Sequence, residues 1–151
     1  MRKEVIAETR IAAEPAVVWE RLLDFSAYAE WNPFIAPAEL DAEARTGQRL
    51  ALQYRPPGLQ PRSAHVELLR VLPAEELSWL QRWLPMAGLL DMEHRFILET
   101  EDDAETRLLQ RLRLSGVLVP FLWWKLRTPL QQGLVESNRA LARLAVSGSP
   151  G

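Results

Sequence analysis

The sequence predicts an α+β fold in which one antiparallel sheet carries its helices on a single side. Three observations predict it. Apolar and polar residues alternate at the start of the chain, give way to a short stretch of helical spacing, and alternate again from about Ala38 to Ser115. Strands are therefore grouped and not interleaved with helices, which excludes βαβ crossovers and a parallel sheet. Turn-forming clusters divide the strand region at short intervals, the pattern of a meander, and the chain closes on a long apolar stripe at helical spacing.

Val5, Ala7, Thr9 and Ile11 alternate with Ile6, Glu8 and Arg10, which gives the first strand. Pro15 suits the first turn of a helix, and Val18, Trp19, Leu22 and Leu23 then share one face. Phe25 to Trp31 reads as a second short helix, ended at Asn32-Pro33 because the residue before proline is pushed out of the helical region. Turns follow at Arg45-Thr46-Gly47, Arg55 to Pro61, Pro73-Ala74-Glu75, Pro85 to Gly88 and Glu101 to Ala104. The clearest strand sets Leu90, Met92, His94, Phe96 and Leu98 against a mostly charged row, so one face is buried and the other wet. Its neighbour sets Thr106, Leu108, Gln110, Leu112 and Leu114 against Arg107, Leu109, Arg111 and Arg113, whose outward cations protect the sheet surface. After Gly116, Leu122, Leu126, Leu130, Leu134, Asn138, Leu141 and Leu144 mark a long helix that Pro129 should kink or interrupt.

A chain of 151 residues fits one domain, and such a domain buries roughly 70% of the surface its unfolded chain exposes. The absence of cysteine excludes disulfides, thiolate-bound zinc, iron–sulfur clusters and thiol nucleophiles. A net charge of −2 with interspersed signs offers no basic stripe for nucleic acid. Met1 to Val5 runs straight into a strand pattern without an apolar leader, so a cytoplasmic location is expected. The uncharged run from Leu114 to Trp124 is too short to span a bilayer. Phosphate loops, metal-spaced His and carboxylate clusters and nucleophile elbows are missing, so neither a metal nor a cofactor is expected.

The stretch from Trp19 to Ile35 carries five aromatic residues, Trp19, Phe25, Tyr28, Trp31 and Phe34, and contains the Asn32-Pro33 turn. It resembles the signature of the START-like, polyketide cyclase/dehydrase superfamily, the SRPBCC group. Weaker matches are Glu93-His94-Arg95-Phe96, Glu105-Thr106-Arg107, Ser115-Gly116 and Ser137-Asn138-Arg139-Ala140-Leu141. The resemblance implies a helix-grip fold, in which a curved antiparallel sheet of about seven strands surrounds a long C-terminal helix and two short helices follow the first strand. The domain would cover residues 1–146, with 147–151 a flexible tail.

A curved sheet and a helix cannot close completely over each other, so this architecture leaves room for a cavity lined by the inward rows. The expected lining is Trp79, Gln81, Trp83, Met92, His94, Phe96, Leu108, Gln110 and Leu112 from the strands. Leu130, Leu134 and Asn138 join from the helix, and Trp31 sits at the rim. Such a mixture suits a hydrophobic ligand with one or two hydrogen-bonding groups. His94 is either a general acid/base or a histidine hydrogen-bonded within the core, and it lacks a carboxylate on its row. His65, beside Val66 and on the row of Glu67, is expected to face solvent. Asn138 either points into the cavity or satisfies a buried backbone group. Many relatives resembling this chain carry His and Glu on the strand written here Gln110-Arg111-Leu112, and Gln and Leu cannot move protons at neutral pH.

The expectation is therefore a protein that binds a lipid, polyketide or similar metabolite, as a monomer or homodimer. One alternative is a cyclase or dehydratase using His94. Another is a membrane-surface or interaction module built on the apolar hairpin Arg82 to Leu90 and on Phe121 to Arg127, where indole rings lie beside Lys125 and Arg127.

Overall fold

The computed structural model of the protein describes residues 2–39, 44–84, 86–102 and 104–147. Strand β1 (Arg2–Ile11) leads into helix α1 (Pro15–Leu23), a single 3-10 turn at Phe25–Ala27 and helix α2 (Tyr28–Trp31). Strands β2 (Ile35–Glu39), β3 (Arg49–Tyr54), β4 (Arg62–Leu72), β5 (Glu76–Arg82), β6 (Asp91–Asp102) and β7 (Glu105–Ser115) follow, and helix α3 (Val119–Ser147) ends the chain. The strands form one sheet in the order β1-β7-β6-β5-β4-β3-β2, antiparallel at every pairing. The sheet curls as a half-barrel around α3, the helix-grip arrangement expected from the sequence. Parts of the predicted turns, at Pro85 and Asp103, and tail residues 148–151 lie outside the described residues.

Local chemistry explains the element boundaries. Pro15 stands at the start of α1, where its missing N–H has no helical acceptor to lose. Asn32 ends α2 with an Asx turn, its Oδ1 accepting the N–H groups of Phe34 at 2.9 Å and Ile35 at 3.0 Å. Gly116 has φ +123°, and a Cβ there would lie 2.4 Å from the Leu89 carbonyl oxygen. Only glycine lets the end of β7 approach the β5–β6 loop so closely. Two backbone bonds lock that approach, Val117 N–H to Gly88 O at 3.1 Å and Leu118 N–H to Leu89 O at 3.0 Å.

Pro129 does not interrupt α3, which runs as a single helix of 29 residues. The carbonyl that proline leaves without a donor belongs to Lys125, an exposed residue. Burial of Leu126, Leu130, Leu134 and Leu141 on the facing stripe holds the helix in place. Gly133 lets α3 pass over Phe34, since a Cβ would sit 2.5 Å from the ring. Gly133→Ala is expected to lower stability by about 1–2 kcal/mol, because overpacking outweighs the helix-propensity gain of alanine. Urea unfolding of the variant beside the parent checks this.

The outward arginines are paired. Arg111 and Arg113 reach Glu4 at 3.0 and 3.6 Å, and Arg107 meets Glu8, Glu99 and Glu101. Arg95 and Arg70 hold Glu76 from two sides at 3.0 and 3.3 Å. Burial alone would raise the Glu76 carboxyl, but hydrogen bonds and charge from Arg95 and then Arg70 outweigh it and hold it below the usual range. The opposite face of the sheet carries the core.

Candidate functional site

Polar residues on the inner face form a continuous chain of hydrogen bonds. Trp79 on β5 faces His94 on β6, while Gln110 on β7 lies two residues along from Leu112, the partner of His94. Alternation points all of them at α3. Trp79 Nε1–H donates to Tyr54 Oη at 2.8 Å, and Tyr54 Oη lies 2.7 Å from His94 Nδ1. His94 Nε2 lies 2.7 Å from Gln110 Oε1, and Gln110 Nε2 donates to Asn138 Oδ1 at 2.6 Å and to Ser137 Oγ at 2.9 Å. Ser137 Oγ–H passes the chain on to the Leu134 carbonyl at 3.1 Å.

Donor counting fixes every proton. Gln110 spends its amide N–H groups on α3, so its oxygen accepts and His94 donates from Nε2. His94 Nδ1 then carries a lone pair, and the Tyr54 hydroxyl donates to it. The imidazole is neutral with both nitrogens engaged. Burial disfavours its cation and pushes the pKa down to about 3, only partly opposed by the Gln110 bond. Burial likewise raises the Tyr54 phenol far above its ordinary value, partly opposed by the Trp79 bond, so it stays a donor.

Aromatic rings enclose the histidine. Phe96 stacks on it at 4.3 Å between centroids, Trp79 lies at 5.1 Å, Tyr54 at 6.0 Å and Phe34 at 6.4 Å. Trp79, Met92, His94, Leu112 and Leu134 have 0% of their surface accessible. Gln81, Phe96 and Gln110 are each at 1% and Asn138 at 2%, so no water-sized space touches most of the lining expected from the sequence. The rings of Phe34, from the α2–β2 turn, and Tyr54, from β3, pack beside His94 and are themselves buried. The Asn138 Oδ1 accepts from Gln110 and not from a backbone group. Gln81 Oε1 and Asn138 Nδ2 have no partner among the described residues. Trp31 is half-buried against Tyr28, ring to ring at 5.0 Å, and His65 is exposed.

A largely apolar groove opens at the end of the half-barrel. A groove of about 450 Å³ runs between the β3–β4 loop, the β5–β6 loop and the first turns of α3. Pro56, Leu59, Trp83, Leu84, Leu90, Leu118, Leu122 and Leu126 line it, with Gln60, Arg62 and Lys125 as its polar points. Tyr54 belongs to both structures, lining the groove and holding His94. Arg62 lies 4.8 Å over the Trp83 ring and donates to the Trp83 carbonyl, which steadies the groove wall. Sequence reasoning expected Trp83 in the lining of a cavity around His94 and missed Tyr54, although Leu50, Leu52 and Tyr54 alternate with Ala51 and Gln53 immediately before the proline-rich turn. Among the described residues no group of three or more His, Asp or Glu side chains is arranged to hold a metal ion.

Residues 2–146 match the family described as polyketide cyclase/dehydrase and lipid transport. The chain belongs to this family. Its fold is shared with the Zhui aromatase/cyclase of Streptomyces sp. R1128, at 18% identity and TM-score 0.80 over 100% of this chain and 98% of that one. A protein of Thermus thermophilus superposes with TM-score 0.76 at 16% identity, over 98% of this chain and all of that one. Norcoclaurine synthase of Thalictrum flavum, solved with dopamine and hydroxybenzaldehyde, does so with TM-score 0.75 at 11% identity, covering 100% and 90% of the two chains. No curated protein sequence matches the chain significantly. At these identities the family members and this chain share a backbone, and their residues need not share roles.

Proposed function

We propose that the protein binds a hydrophobic small molecule, a lipid, polyketide or similar metabolite, in the mouth groove. Trp83 forms a wall and Tyr54 the floor. The observation that carries this reading is the groove itself: about 450 Å³, lined mainly by Leu and Pro with a few polar points, within the size and character of small-molecule sites. Trp79, Met92, His94, Phe96, Gln110, Leu112, Leu134 and Asn138 form the rigid support beneath the floor. They meet a ligand only if Tyr54 swings aside.

Binding is favoured over a cyclase or dehydratase reaction by the state of His94. Both ring nitrogens are committed, and the neighbouring Gln110 and Leu112 cannot relay a proton. Titration with an environment-sensitive apolar dye, displaced by medium-chain alcohols and acids, tests the groove. Leu122→Asp places a charge in its lining and is expected to weaken dye binding at least about tenfold, the equivalent of 1.4 kcal/mol. Equal affinity in the variant, or no binding of any apolar probe, would end this reading.

A further inference from the structure

We propose that the open end of the half-barrel docks on an anionic lipid bilayer, groove mouth first. The three segments that border the mouth, residues 54–62, 82–90 and 115–127, carry Arg55, Arg62, Arg82, Lys125 and Arg127 and contain no Asp or Glu. Elsewhere the chain holds 20 carboxylates, enough to give it a net charge of −2. Charge is thus segregated against the overall sign of the protein. None of the five cations forms an ion pair among the described residues, whereas the sheet's outer face matches its arginines with glutamates. A surface that attracts anions at one end of an acidic protein orients it before contact.

The same end exposes its apolar side chains. Met86 is 65% exposed, Val117 63%, Phe121 70% and Trp124 80%. They project from separate elements that the Val117–Gly88 and Leu118–Leu89 bonds hold together. Phe121 and Trp124 are one turn apart on α3 and adjoin the helix face that lines the groove, so the apolar rim continues the groove outward. The Trp124 Nε1–H is already satisfied by the Phe121 carbonyl at 3.1 Å, so the ring can enter the acyl boundary without stranding a donor. Aromatic rings on protruding points with cations behind them are what the boundary between headgroups and acyl chains accepts. An acidic protein partner would answer the charges, but it would give four protruding apolar side chains no common depth to reach.

Co-sedimentation with phosphatidylcholine vesicles, with and without phosphatidylglycerol, tests the proposal. The protein is expected to bind the anionic vesicles, with affinity falling as salt rises, and to leave the neutral ones unbound in comparison. Phe121→Ser with Trp124→Ser is expected to weaken binding about tenfold, as loss of apolar insertion requires. Arg55→Gln, Arg82→Gln and Arg127→Gln together are expected to weaken it roughly a hundredfold. All these positions lie outside the groove lining, so apolar dye binding and circular dichroism report that the groove and fold are intact. Absence of binding to anionic vesicles, or binding that neither set of substitutions weakens, overturns the proposal. So does a solution dimer abolished by Phe121→Ser with Trp124→Ser, for then a second copy covers the surface. Failure of the dye titration with vesicle binding intact refutes the ligand reading and leaves the docking proposal standing.

Discussion

Acidification from pH 7 to pH 4 is expected to remove several kcal/mol of folding stability, and His94→Phe to flatten most of that slope. His94 titrates near its ordinary value of 6.5 in the unfolded chain and at about 3 in the folded one. Between those values the unfolded state binds a proton that the folded state refuses, so stability falls as pH falls. The contribution is complete above pH 6.5, drains away towards pH 3 and does not recover below it. A shift of this size corresponds to roughly 5 kcal/mol, at about 1.4 kcal/mol per pH unit. The figure is a large part of the 5–15 kcal/mol that holds a typical domain together. Glu76 acts in a lower window. Its depressed carboxyl contributes stability above the unfolded carboxylate range, and that contribution is lost as pH falls through the folded value. Urea unfolding at several pH values separates the two, with His65→Asn on the exposed side of β4 as the control. A free energy that is flat between pH 7 and pH 4.5 is incompatible with a neutral, enclosed His94.

Gln110→Leu is expected to destabilise the protein by about 3–5 kcal/mol, although the substitution puts an apolar side chain into an apolar interior. The amide joins β7 to α3 and to β6 at once. Leucine would leave the His94 Nε2–H and the Asn138 Oδ1 buried without partners, at about 1–3 kcal/mol each, and would add strain from its branched shape. Apolar replacement of a single member is therefore costly in a chain whose members each satisfy the next. Gln110→Glu gives the complementary test. A carboxylate can still accept from Nε2 and would favour the imidazolium, so the His94 ring titrates at higher pH and the loss of stability on acidification becomes smaller. Nuclear magnetic resonance of the His94 ring protons distinguishes the outcomes. The parent should show a protected Nε2–H signal with no Nδ1–H, and Gln110→Leu should lose that protection. An Nδ1–H signal in the parent would show that the chain runs the other way and would reverse the donor assignments.

Much of the fold was legible because backbone patterns are local. The alternation in Leu90 to Leu98 and Thr106 to Leu114 assigned β6 and β7 and their inward rows, and Pro15 and Asn32-Pro33 marked the limits of the short helices. The interruption expected as one outcome at Pro129 did not occur, for a related reason. Its local penalty is real, but whether a helix survives depends on the apolar face buried along its other turns.

The site was legible only in part. Strand alternation told which residues face inward, so Trp79, His94, Phe96 and Gln110 were placed together correctly. It could not tell how far apart the sheet and α3 stand. That distance depends on the Phe34 ring filling the space beneath Gly133 and on Tyr54 reaching across from β3, contacts between residues 99 and 40 positions apart in the chain. Nor does one-dimensional order show that two loops and the first turns of α3, each free of carboxylates, gather around one mouth.

The sequence by itself determined the element order, the antiparallel meander, the long terminal helix and the identity of the inward rows, because period and turn chemistry act between near neighbours. The tertiary structure alone decided that the rows close on one another as a hydrogen-bonded, ring-packed support, and that an apolar groove opens at the mouth. Packing is a matter of volumes brought together by sheet curvature, and no local pattern records it.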